Sequence, residues 1–154
     1  TQILLQLIAV FFIVIGLTTP NPTSVKQEGV LEREDAVKGM LRITRHPFLW
    51  GVAIWASGHL IVNGDRASMT LFGTLLILAL AGTTSIDAKR RRALGDRWEA
   101  FAQQTSNIPF AAILAQRQSL KLGEIGLWRA LAALAVYVGL LLGHPYMFGV
   151  AALP

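Results

Sequence analysis

Four long apolar stretches, at residues 3–17, 48–62, 69–86 and 128–150, constrain this chain more than any other feature. Crossing the hydrocarbon core of a bilayer takes about 20 apolar residues, fewer where interfacial residues complete the span. A soluble domain of 154 residues has no use for four such stretches, and a composition 53% hydrophobic and 15% charged agrees. The expectation is an all-α polytopic membrane helix bundle of about four spans, forming one integral membrane domain over residues 1–154. The first stretch opens at Thr1-Gln2 with no basic segment before it and no initiator methionine. That is not the pattern of a secretory signal, and it predicts that an amino-terminal helix or helices are missing.

Basic residues set the expected orientation, because Lys and Arg near span ends stay on the cytoplasmic side. With four alternating spans, segments 18–47 and 87–127 share one side. Between them they carry Lys26, Arg33, Lys38, Arg42, Arg45, Lys89, Arg90, Arg91, Arg92, Arg97, Arg117 and Lys121, with Arg129 at the edge. The other side has only Arg66. Both long loops are therefore expected in the cytoplasm, with the Asn63-Gly64-Asp65 turn and the carboxyl terminus outside. The net charge of +5 then follows from topology and anionic headgroups, and no nucleic-acid partner is expected. Cysteine is absent, which excludes disulfides, thiolate ligands and a cysteine nucleophile.

Between the spans, Pro20 and Pro22 mark a turn into a solvated or interfacial stretch. After the third span, Leu94, Trp98 and Phe101 recur at helical spacing among charges. This is the pattern of an interfacial amphipathic helix with its apolar face in the headgroup plane. Trp50, Trp98 and Trp128 fit interfacial anchoring, and Gly139 with Gly143 makes a small-xxx-small pair suited to close helix packing.

Several residues carry chemistry. Arg42, Arg45 and His46 precede Pro47 at the start of the second span. They read either as a site for an anionic group at a helix amino terminus or as a topology anchor. Along that span Gly51, Trp55, His59 and Asn63 recur every fourth residue, a stripe that could line a cofactor slot. His59 within a span is a functional candidate by default, or else a hydrogen bond to a neighbouring helix. His144, next to Pro145, lies late in the fourth span. At the standard rise His59 is about 16 Å and His144 about 24 Å from the cytoplasmic ends of their helices. Two facing imidazoles would suit a haem iron, with His59 and His144 as metal ligands; the other reading of His144 is an interfacial cap beside Tyr146. Lys89 to Arg92 reads as a solvated basic collar or as a phosphate-recognition cluster.

The run Gly39-Met40-Leu41-Arg42-Ile43-Thr44-Arg45-His46-Pro47, with Trp50-Gly51, Trp55, Gly58-His59-Leu60 and Asn63-Gly64-Asp65, resembles the NnrU family of bacterial membrane proteins. Thr105-Ser106-Asn107-Ile108-Pro109-Phe110 and His144-Pro145 with Phe148-Gly149 extend the resemblance over nearly the whole chain. The family includes the plant and cyanobacterial zeta-carotene cis-trans isomerases, and its bacterial members are named for an association with nitrite and nitric oxide respiration. The resemblance implies haem b held by two histidines, one matching His59 and the other on a helix upstream of this sequence. It does not support His144 as the second ligand. Ala56 stands where the isomerases can offer a cysteine, so no ligand swap is expected.

Arg45-His46-Pro47 with Gly51, then Leu94-Gly95, Trp98, Phe101 and Ile108-Pro109, is more distantly similar to the isoprenylcysteine and phospholipid methyltransferases of membranes. In those enzymes the Arg-His-Pro segment and a Glu-Glu pair hold S-adenosylmethionine; here the pair reads Asp87-Ala88.

The expected function is a haem b protein acting on a lipophilic polyene by cis-trans isomerisation. His59 is the ligand, Trp55 and Asn63 support it, and Arg42, Arg45 and His46 form a support or headgroup site. The alternatives are an S-adenosylmethionine-dependent methyltransferase and a non-enzymatic haem or nitric oxide factor in denitrification. The bilayer is the expected partner, and a homo-oligomer is left open.

Overall fold

The computed structural model describes residues 2–152. Its helices are α1 (Gln2–Thr18), α2 (Pro47–Val62), α3 (Arg66–Leu94), α4 (Asp96–Gln104), α5 (Ala111–Leu114) and α6 (Leu127–Phe148), and no strand occurs among the described residues. Single 3-10 turns lie at Glu28–Glu32, Gly39–Arg42 and Leu122–Ile125. The four apolar stretches thus become α1, α2, α3 and α6. Pro47 is the first residue of α2, where its missing N–H costs nothing. The Asp65 carboxylate caps α3 by accepting from the Ser68 N–H at 2.9 Å.

The expectation of four spans is met in part. α3 and α6, with 29 and 22 residues, are long and apolar enough to cross a membrane. α1 and α2 are apolar but have 17 and 16 residues, about 24–26 Å at the standard rise.

The long helices pack in the order α3, α2, α1, α6. The α1–α2 contact is closest because glycines allow it. A Cβ on Gly16 would fall 2.6 Å from the Phe48 backbone nitrogen, and one on Gly51 would fall 2.7 Å from that of Ile13. Gly51 therefore serves helix packing against α1. Nothing lies within 4 Å of a Cβ placed on Gly139, and only Met147 of the same helix lies near one on Gly143. The small-xxx-small pair makes no close crossing among the described residues, because α6 meets α1 on another face. There Ala133 and Tyr137 are buried and the Tyr137 hydroxyl donates to the Ile3 carbonyl at 3.0 Å.

The two long loops meet at one end of the helices and form a polar layer. The Trp50 indole N–H and the Thr44 hydroxyl both donate to the Asn107 carbonyl, at 2.8 and 2.5 Å. The Phe110 N–H donates to Ile43 O at 2.8 Å, and the Arg45 N–H to Ser106 O at 2.9 Å. Helix α4 does form, but its apolar face does not lie open to lipid. Trp98 and Phe101 are buried with Leu41, and Leu31 and Val37 pack against them. The loop before α2 covers the face that periodicity alone would assign to the membrane. Trp98 is accordingly a core residue, whereas Trp128 is exposed beside Arg129 as an anchor requires.

Candidate functional site

Two polar clusters lie on these elements. The first is at His59 on α2. Its Nδ1 lies 2.9 Å from the Trp55 carbonyl one turn earlier and 3.2 Å from Nε2 of Gln6 on α1. The Gln6 amide N–H donates to the same Trp55 carbonyl at 3.2 Å, so both donors converge on one oxygen. An Nδ1–H donating to the carbonyl leaves the imidazole lone pair on Nε2. Among the described residues Nε2 has no hydrogen-bond partner. The ring stacks on Phe72 of α3 at 4.6 Å and 21°, with Trp55 also 4.6 Å away.

On the α1 side, Gly58 leaves the space that the amides fill. A Cβ there would collide with Gln6 Nε2 and lie 3.1 Å from Gln2 Oε1. The Oε1 atoms of Gln2 and Gln6 are buried without hydrogen-bond partners among the described residues, a cost that a packed apolar seam would avoid. The seam between α1 and α2 is therefore polar at the level of His59. The four-residue stripe does not act as one surface. Because it drifts by about 40° per step at 3.6 residues per turn, Gly51 faces α1, Trp55 and His59 meet Gln6 and Phe72, and Asn63 lies past the helix end. The Asn63 amide donates to His59 O at 2.9 Å and serves as a helix cap.

His144 has separate neighbours. Its Nδ1 is 2.8 Å from the Val150 carbonyl and its ring 4.8 Å from Phe148. It shares none of the contacts of His59, and α6 packs on α1, so the structure does not bring the two histidines together as a ligand pair. Its bond to Val150 at the helix end is the cap reading.

The second cluster holds Arg42, Arg45 and His46, and the anions it binds are internal. Asp87, near the end of α3, accepts from Arg45 Nε at 3.0 Å and Nη2 at 2.5 Å, and lies 2.7 Å from His46 Nε2. His46 is 2% exposed. The Asn21 amide and the Thr23 hydroxyl donate to Arg45 O at 3.0 and 3.1 Å, which fixes the backbone beneath the ion pair. Glu124 accepts from Arg42 Nε at 2.7 Å, Arg42 Nη2 at 3.0 Å and the Gly39 N–H at 2.9 Å. The Arg42 guanidinium and the Gly39 N–H hold its carboxyl down at about 2. Both arginines and His46 thus join the two loops. No free headgroup site remains at these three residues. The same bonds leave the methyltransferase reading without support, since Asp87, which stands in the place of the Glu-Glu pair, is taken up by the Arg-His-Pro segment itself.

The model of the family described as NnrU protein covers residues 1–152. The chain belongs to the NnrU family. Among curated relatives of this NnrU chain, the chloroplastic 15-cis-zeta-carotene isomerase of Arabidopsis thaliana is 33% identical over 114 residues. That match covers 72% of this chain and 31% of the relative. The Zea mays protein of the same name is 34% identical over 82 residues, covering 53% of the chain and 22% of the relative. The NnrU chain thus spans less than a third of the curated relatives it matches. No solved structure matches it.

Sequence reasoning picked out His59, Trp55, Arg42, Arg45 and His46 but missed Gln6, Phe72 and Glu124. A signal for Gln6 was present. Gln2 and Gln6 are amides four residues apart, on one face of an otherwise apolar helix.

Proposed function

We propose that this NnrU-family chain is part of a polytopic membrane protein that binds haem b at His59 and isomerises a lipophilic polyene. The observation that carries the reading is the state of His59. Its Nδ1 is tied to the Trp55 carbonyl at 2.9 Å, and Nε2 is left without a partner among the described residues. Histidines that ligate metals are oriented in this way through their other ring nitrogen. A haem iron takes one or two axial ligands from the protein. The site therefore fits even though no group of three or more His, Cys, Asp or Glu residues that could hold a metal ion occurs among the described residues. The isomerase relatives support the activity class.

Bound there, ferrous haem would lower the barrier to rotation about one cis double bond of the polyene. The chain's own residues supply the rest. Trp55 O holds the imidazole plane through Nδ1–H, Phe72 stacks on its face, and these aromatic rings keep water from the reacting bond. The Arg45–His46–Asp87 cluster fixes the start of α2, and so the height of His59, against the end of α3.

All four apolar helices cross the bilayer in this reading, with loops 18–47 and 87–127 on the cytoplasmic side. Their concentration of Lys and Arg supports that orientation. The test is an oxidised and dithionite-reduced absorption spectrum of the protein, with upstream sequence included, beside its His59→Ala variant. A Soret band and a sharp reduced α band that disappear in the variant are the expected result. An unchanged spectrum in His59→Ala ends the assignment. Haem without turnover of any carotenoid would point to the nitric oxide role.

A further inference from the structure

The paired cations of the loop layer draw attention to those left over. Of the basic residues in segments 18–47 and 87–127, only Lys26, Lys89 and Arg92 bond to neither a carboxylate nor a backbone carbonyl among the described residues. Two of these three, Lys26 and Lys89, line one cleft of about 350 Å³ between the 23–28 turn and the end of α3. The cleft has an apolar part as well. Val25 is 82% exposed at its rim, and Ile86 lies one helical turn before Lys89 on the same face of α3.

The position of Lys26 is built into the fold. Its φ of +59° is in the left-handed region, which a non-glycine residue adopts only where neighbouring contacts hold it. Three contacts hold the turn in place. The Gln27 amide oxygen accepts from the Asn21 N–H at 2.8 Å, and Arg90 donates to Ser24 O at 2.7 Å and pairs with Glu28. The turn thus presents a cation and an exposed valine beside the point where the apolar run of α3 gives way to its basic end.

We propose that this cleft holds an anionic glycerophospholipid, its phosphate on Lys26 and Lys89 and its first acyl carbons over Val25 and Ile86. Two unneutralised ammonium groups above an apolar wall match that amphiphile, because the phosphate completes the charge and the chain covers the exposed valine. Neither group suits a zwitterionic lipid equally well, whose choline would meet two like charges. The site is independent of haem.

Native mass spectrometry tests it, with the chain offered equal amounts of phosphatidylglycerol and phosphatidylcholine. A lysine at the headgroup level favours anionic lipid by roughly fivefold, so Lys26→Gln/Lys89→Gln should reduce the phosphatidylglycerol preference more than tenfold. Arg92→Gln removes an equally unpaired charge outside the cleft and should leave the preference unchanged. A preference retained in the double variant overturns the site. Equal losses in Lys89→Gln and Arg92→Gln also overturn it, in favour of general surface charge. Displacement by inorganic phosphate alone would show a small-anion site and no lipid. All three residues are exposed, and circular-dichroism melting confirms that each variant keeps its fold.

Discussion

The helical layer and the loop layer of this molecule are held by different forces. In the helical layer, α3 and α6 have only 11% of their apolar stretches buried within the chain. Large side chains such as Ile77, Leu78, Leu131 and Leu142 face outward. In the loop layer, His46, Thr44, Thr105 and Trp98 are almost wholly buried, and the arginines reach carboxylates far away in sequence. A loop layer built this way fixes geometry by specific polar bonds, whereas the helical layer leaves its outer faces for lipid or further helices. The candidate ligand His59 belongs to the loose layer, and its height is set by the tight one.

The largest effect should come from breaking the tight layer at its centre. Asp87→Ala would leave Arg45 and His46 buried without their anion, which typically costs about 3–5 kcal/mol. Unfolding in detergent, followed by circular dichroism, measures it. A loss below about 1 kcal/mol would mean that the loop layer is solvated and the contrast between the layers is wrong.

A smaller effect separates two glycines in the helical layer. Gly16→Ala places a methyl group against the Phe48 backbone and should destabilise by about 1–3 kcal/mol, the usual cost of overpacking. Gly139→Ala meets nothing within 4 Å and should stabilise by up to about 1 kcal/mol through helix propensity. The same unfolding assay decides between them. If both destabilise, α6 packs on a partner through Gly139, and the outer face of that helix is an interface.

The two layers were also unequally legible in the sequence. Apolar runs located α1, α2, α3 and α6 because burial in hydrocarbon and burial in protein select the same residues. For that reason the runs do not tell which of the two covers a given face. Leu94, Trp98 and Phe101 have the spacing of an interfacial helix, and Leu41 and Leu31 cover them instead. The loop layer was legible as a set of cations sharing one side. Their partners were not, since Arg45 finds Asp87 42 residues away and Arg42 finds Glu124 82 residues away, and no local spacing encodes such pairs. At the site, His59 stood out as a polar residue in a span. Phe72 looks like any lipid-facing aromatic until α3 is laid against α2.

The smallest expected effect probes the rim of the tight layer through pH. Arg42 and the Gly39 N–H hold the Glu124 carboxyl down at about 2, below the usual value of 4.5. A depressed carboxyl adds stability that is fully present above the unfolded pKa, and it is lost as pH falls from about 4.5 towards about 2. The wild type should therefore melt progressively lower across that window, and Glu124→Gln should flatten this part of the profile. Glu124 is partly exposed, with a side chain 29% accessible. Solvent screening thus keeps its share of the pH dependence below that of a buried pair. A Glu124→Gln profile as steep as that of the wild type would assign the acid sensitivity to other carboxylates, and would leave the Arg42 contact as a positional bond with little energetic weight.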